Sequence, residues 1–102
     1  MHAIFTVPAA EEDILSAARW YETCVPGLST EFLRSVDESL LAVAERPEQY
    51  PVVHRDVRRA LVRRFPYGVF FIASGETVRV IACMHIRRHP RTWRRRTGLN
   101  EA

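Results

Sequence analysis

Every one of the fifteen basic residues in this chain is arginine, and no lysine is present. A GC-rich genome yields that bias with no functional cause, yet it restricts the chemistry. A guanidinium stays charged and offers a planar fork to carboxylates and phosphates, whereas lysine is the better proton carrier. Any acid–base step must therefore fall to His, Asp, Glu or Tyr. His85 stands out among these because it closes a long apolar stretch, Thr77–His85. An imidazole titrates near pH 6.5, which suits it to either role at neutral pH.

The charges are segregated. Residues 1–50 hold three Arg against nine acids, a balance of −6, and residues 51–102 hold twelve Arg against three acids, a balance of +9. That asymmetry implies an anionic partner for the C-terminal half, or neutralisation of one half by the other within the fold. Arg87, Arg88, Arg91, Arg94, Arg95 and Arg96 crowd the C-terminal run, with Trp93 as an exposed-prone aromatic among them. Cys24 and Cys83 lie far apart without CxxC or paired Cys/His spacing, so the reading is no metal site and two reduced core thiols. No cofactor motif is present. With no signal peptide and no apolar run near 18 residues, the chain reads as soluble and cytoplasmic.

The elements that must position these groups follow from periodicity. The 102 residues suffice for one domain, and a chain this size buries roughly two-thirds of its unfolded surface. A short strand is expected at His2–Val7, stopped by Pro8. Ala10, Ile14, Ala17 and Tyr21 form one stripe of a helix over Ala9–Cys24, with Glu11, Glu12 and Asp13 at its positive end. Leu33, Val36, Leu40 and Val43, with Phe32 beside them, make a second helix over Leu28–Glu45, capped by Ser29 or Thr30. The three-residue turn between them implies an antiparallel hairpin. Residues 47–56 read as a loop. A two-residue period then marks strands at Val57–Arg64, Tyr67–Ala73 and Thr77–His85, the last apolar enough to be covered on both faces. In Val57–Arg64 the alternation sets Ala60, Val62 and Arg64 on one face and Arg59, Leu61 and Arg63 on the other. His85–Ala102 shows no clear period. The reading is α+β, in the order β-α-α-β-β-β.

Three stretches carry a family resemblance: Ala10-Glu11-Glu12-Asp13-Ile14 with Trp20-Tyr21-Glu22 and Pro26-Gly27-Leu28; Arg58 through Tyr67; and His85-Ile86-Arg87-Arg88-His89-Pro90 with Trp93. Together they resemble the RelE/ParE superfamily of bacterial toxins, also called plasmid-stabilisation proteins. The likeness spans about residues 4–96, leaving 97–102 as a short tail. It implies a helix hairpin on a twisted, mainly antiparallel sheet of three or four strands. It also implies a growth-inhibiting toxin neutralised in a hetero-oligomer by a cognate antitoxin with an acidic tail, lying across the hairpin and a sheet edge.

The superfamily divides by target. RelE-like members cut mRNA on the ribosome, and the resemblance would then make His85 the acid or base and Arg64 the phosphate clamp. Ile86, however, stands where the His-Tyr pair of that branch has tyrosine, and the lysines used by other members are absent. ParE-like members bind DNA gyrase and perform no known chemistry. Trp20, the long second helix and the continuation past Pro90 through Trp93 match that branch more closely. Arg59, Arg63, Arg87, Arg88, Arg91, Trp93, Arg94, Arg95 and Arg96 are then the expected contacts to target or antitoxin. A plain nucleic-acid-binding module is the third reading. It fits the basic tail but not the acidic helices, and Tyr67–Ala73 holds no RNP-type motif.

Overall fold

The computed structural model describes residues 1–99. The order is β1 (Ala3–Thr6), α1 (Pro8–Cys24), α2 (Leu28–Glu45), a 3-10 turn (Pro47–Gln49), β2 (Val52–His54), β3 (Val57–Leu61), β4 (Tyr67–Ser74), β5 (Thr77–His85) and α3 (Arg91–Leu99). One five-stranded sheet runs β1-β5-β4-β3-β2, antiparallel throughout except where β1 lies parallel to β5. The class and the helix hairpin are as expected. The sheet is wider because Val52–His54, within the segment read as a loop, pairs with β3 as an edge strand.

The α1 stripe of Ala10, Ile14, Ala17 and Tyr21 and the α2 stripe of Leu33, Val36, Leu40 and Val43 enter one core, with Phe32, Ala60, Val62, Val69, Phe71, Val78, Val80 and Cys83. Tyr21, Phe32, Phe65 and Tyr67 make an aromatic cluster in it, with ring centres 5.0–5.9 Å apart. All but the tilted Tyr21–Phe32 pair meet edge to face, and such pairs add about 0.5–1.5 kcal/mol each beyond area burial.

The helix turn is held differently from the sequence reading. Gly27, at φ 89°, precedes α2, and neither Ser29 nor Thr30 caps the helix with its side chain. The Glu22 carboxylate, reaching over from α1, accepts from Gly27 N, Ser29 N and Ser29 Oγ. A carboxylate at the positive end of a helix satisfies orphan N–H groups and the dipole together.

The second face of the sheet carries its own core: Val57, Phe70, Ile72, Ile81, Ala82, Met84 and Trp93. α3 supplies its cover. The sequence shows no period in this segment and suggests an exposed Trp93. Instead Trp93 is 5% exposed and stacks on Phe70, ring centres 4.4 Å apart and planes 21° from parallel. The two cores also explain why β5 reads as apolar on both sides.

A bulge sits in β5. Phe70 pairs with Ala82 and Phe71 with Val80, so Ile81 is the extra residue. Val78 and Val80 lie in the helix-side core, Ile81 and Ala82 both lie in the other, and Cys83 returns to the first. A bulge shifts the alternation by one.

Candidate functional site

Beyond Val80 the outer side of β5 has no strand partner among the described residues, because β1 ends at Thr6 and the chain turns into α1. Two side chains close this gap. Asp13 Oδ2, from α1, accepts from Cys83 N at 3.0 Å. Arg96, from α3, donates to Ile81 O at 3.0 Å and to both oxygens of Asp13. The pair is mostly buried, with 17–19% of each side chain exposed.

Next to this clamp a groove of about 330 Å³ opens between α1 and the end of β5. Glu12, Ser16 and Trp20 line it from α1, and Tyr67, His85 and Arg88 line it from the sheet and the following turn. His85 sits opposite Tyr67 in the β4–β5 ladder, ring centres 5.5 Å apart. Its Nδ1 accepts from Arg87 N at 3.1 Å, which leaves Nε2 as the protonated nitrogen of the neutral ring. Burial raises the Tyr67 hydroxyl above its ordinary value, nearby Cys83 adding to the effect and Arg88 opposing it. Burial, with the Asp13 carboxylate beside it, pushes the Cys83 thiol up to about 12. It stays a neutral thiol, unfit as a nucleophile. Cys24 is not a core residue: it ends α1 and is exposed.

Arg64 is exposed, at φ 69°, in the turn between β3 and β4. That turn is stitched to the one after β5 by Ile86 N donating to Pro66 O at 2.9 Å. Arg64, Arg87 and Arg88 thus share one end of the sheet with His85, although it is Arg88 and not Arg64 that lines the groove. Arg63 lies in a shallower depression against α2, beside Glu38 and Tyr50. Arg59 is elsewhere, its stem laid across Gly68, where a Cβ would stand 3.1 Å from its Cγ and Cδ. The Nε atoms of Arg59 and Arg79 are shut from solvent without hydrogen-bond partners. Arg91, Arg94 and Arg95 are exposed along α3, Arg94 with its guanidinium 5.5 Å from the centre of the Trp93 ring. Of the twelve arginines in residues 51–102, Arg96 is the one that forms an ion pair with a carboxylate among the described residues. The acidic helices therefore leave most of the sheet-side charge unmatched.

The sequence reading did not assign Trp20, Ser16 or Tyr67 to a site. For Trp20 the signal existed. It is next to Tyr21 but off the stripe of Ala10, Ile14, Ala17 and Tyr21, so a helix must turn it outward. It is 58% exposed. Ile86, 48% exposed, is a second apolar group at this end. A separate apolar groove of about 460 Å³ runs beside edge strand β1, among Ile4, Phe5, Ile14, Leu15 and Leu40, with Glu11 and Asp37 on its rim. No helix among the described residues is long and apolar enough to cross a membrane. Nor do those residues bring three His, Cys, Asp or Glu together as a metal site.

No family model matches the sequence, and no curated protein matches it. The backbone does have a counterpart among solved structures, a chain of the "Chromosomal ParDE TA system from P. aeruginosa". The TM-score is 0.74 over 83% of this chain and 96% of that one, at 16% identity. The two chains share a fold, as the three sequence stretches led one to expect.

Proposed function

We propose that this chain is the toxin of a type II toxin–antitoxin pair, of the ParE-like kind, acting by binding DNA gyrase and held inactive by a cognate antitoxin. The observation that carries the reading is the end of the sheet. There Trp20 and Ile86 are exposed beside Arg64, Arg87 and Arg88, none of which pairs with a carboxylate among the described residues. Exposed aromatic and arginine side chains at one end of the sheet are residue types found in protein-binding hot spots. The fold shared with a chain of a ParDE system supports the same reading. An antitoxin has two features to use. Its acidic tail matches the unpaired arginines, and an apolar segment of it fits the groove beside β1, whose outer edge is open to strand addition.

The test is expression with and without the neighbouring antitoxin, followed by supercoiling assays on purified gyrase. Growth arrest with lost supercoiling supports the reading. Normal supercoiling beside arrested growth removes gyrase as the target. A second reading, mRNA cleavage, is favoured by the groove itself, which His85 lines together with Tyr67 and Arg88. In that case His85→Ala abolishes toxicity and cleaved message accumulates. Under the gyrase reading His85→Ala leaves toxicity largely intact.

A further inference from the structure

We infer that the outer face of α3 is a contact surface for the phosphate backbone of duplex DNA. It is distinct from the end of the sheet assigned above to a protein target. The described side chains of α3 that turn inward are already engaged. Trp93 and Thr97 are buried and Arg96 is hooked to Asp13 and Ile81 O. Among its described side chains the exposed ones are Arg91, Arg94 and Arg95. The spacings i, i+3 and i+4 put them on one stripe, spanning roughly 6 Å of helix axis. Between Glu76 and Leu99 the chain contains no acidic residue to neutralise them.

The arrangement is costly without an anion. Arg91 opens α3, where the helix dipole disfavours a cation, and the first turn holds no acid. Arg91, Arg94 and Arg95 repel one another as i, i+3 and i+4 neighbours. A line of phosphates reverses both terms.

The choice of DNA over an acidic protein rests on what the face lacks. A protein partner needs apolar anchors set in a desolvated centre. Among the residues whose side chains are described, the exposed large apolar ones are Met1, Phe5, Leu15, Trp20, Val25, Leu41, Val52, Leu61 and Ile86, and none of these lies on α3. A purely cationic stripe serves backbone contact, which needs charge and little else. Arginine forks also suit phosphate oxygens.

The inference stands apart from the toxin reading, because its test uses the purified chain and no growth assay. A labelled mixed-sequence duplex is titrated by fluorescence anisotropy at several salt concentrations. The logarithm of the binding constant should fall linearly with that of the salt concentration. The triple variant R91Q/R94Q/R95Q should flatten the slope by about 2 to 3, one phosphate contact per arginine, and weaken binding at low salt at least about tenfold. A control with the same charge change on the helix hairpin, R19Q/R34Q/R46Q, should leave the slope in place. Near-ultraviolet circular dichroism of the Trp93–Phe70 stack confirms that the α3 variant remains folded. An unchanged slope in the folded α3 variant overturns the inference. So does an equal loss in the control, which would reduce the effect to net charge. Tighter binding of a glutamate-rich peptide than of the duplex, at the same salt, also overturns it in favour of an acidic protein.

Discussion

Asp13 and Arg96 meet at the outer side of β5, the carboxylate coming from the helix on one face of the sheet and the guanidinium from the helix on the other. Each also takes a backbone group of the strand, Cys83 N for the acid and Ile81 O for the base. One ion pair thus replaces the strand that β1 does not supply, and it ties the C-terminal helix to the N-terminal one.

Asp13→Asn should therefore destabilise the protein by roughly 2–4 kcal/mol, because it strands the charge of a mostly buried arginine. Replacing both partners by apolar residues, Asp13→Leu with Arg96→Met, should recover much of that loss. Urea unfolding of the two variants checks it. An Asp13→Asn protein as stable as the parent would show that the pair contributes nothing.

Among the described side chains of α3, Trp93 is the large apolar one in the second core. Trp93→Ala should cost about 3 kcal/mol and Trp93→Phe about 1 kcal/mol. The alanine variant should also lose helical signal, since nine residues rich in arginine form no stable helix unaided. Far-ultraviolet circular dichroism that does not change would mean α3 persists without its anchor.

Glu22 gives the helix turn an acid limit. Hydrogen bonds from the Ser29 hydroxyl first, then from Gly27 N and Ser29 N, hold its carboxyl below the usual range. A folded-state value lower than the unfolded one contributes stability above the ordinary carboxylate pKa, and this is lost as pH falls through the folded value. Glu22→Gln should lower the urea midpoint at neutral pH and narrow the difference between neutral and acidic midpoints. Parallel pH curves for parent and variant would refute this.

His54 works in the same direction at a higher pH. Desolvation lowers its pKa from the ordinary 6.5, and Arg94 and Arg55 lower it further. Its ring lies 6.0 Å from that of Trp93. The neutral ring is the folded form, so stability is present above 6.5 and declines on acidification below it. His54→Phe should keep the ring contact and flatten the stability profile between pH 7 and pH 5. NMR titration of the imidazole reads the same shift directly.

How far the sequence spoke depended on how many residues each element commits to a core. α2 and β5 have the bounds their periods indicated, Leu28–Glu45 and Thr77–His85, because each buries several large side chains at fixed spacing. β2 was hidden: three residues after Pro51 show no alternation, and only Val53 packs inward on the second core. α3 was hidden for the opposite reason. Its surface is arginine, and Trp93 and Thr97 are its buried residues among those described, too few to display a period. The Glu22 cap was invisible because the carboxylate that holds α2 belongs to α1. The groove was half legible. His85 and Arg88 were named from their place after β5, while Tyr67 and Ser16 entered only once the register of β4 and the pitch of α1 were known. Arg64 was expected to continue β3, but that strand ends at Leu61 and Arg64 falls in the turn, in the left-handed region.

The extra residue at Ile81 decides where the imidazole of His85 goes. Were β5 to alternate without interruption from Val78 and Val80, even-numbered residues would keep facing the helices and His85 would point toward α3. Because one position is inserted, the odd-numbered Cys83 and His85 face α1 instead. A homologue of equal length whose strand alternates without the bulge would hold the same histidine on the opposite side of the sheet, and an alignment would show no gap. Comparison of such chains by motif alone therefore equates residues that occupy opposite surfaces.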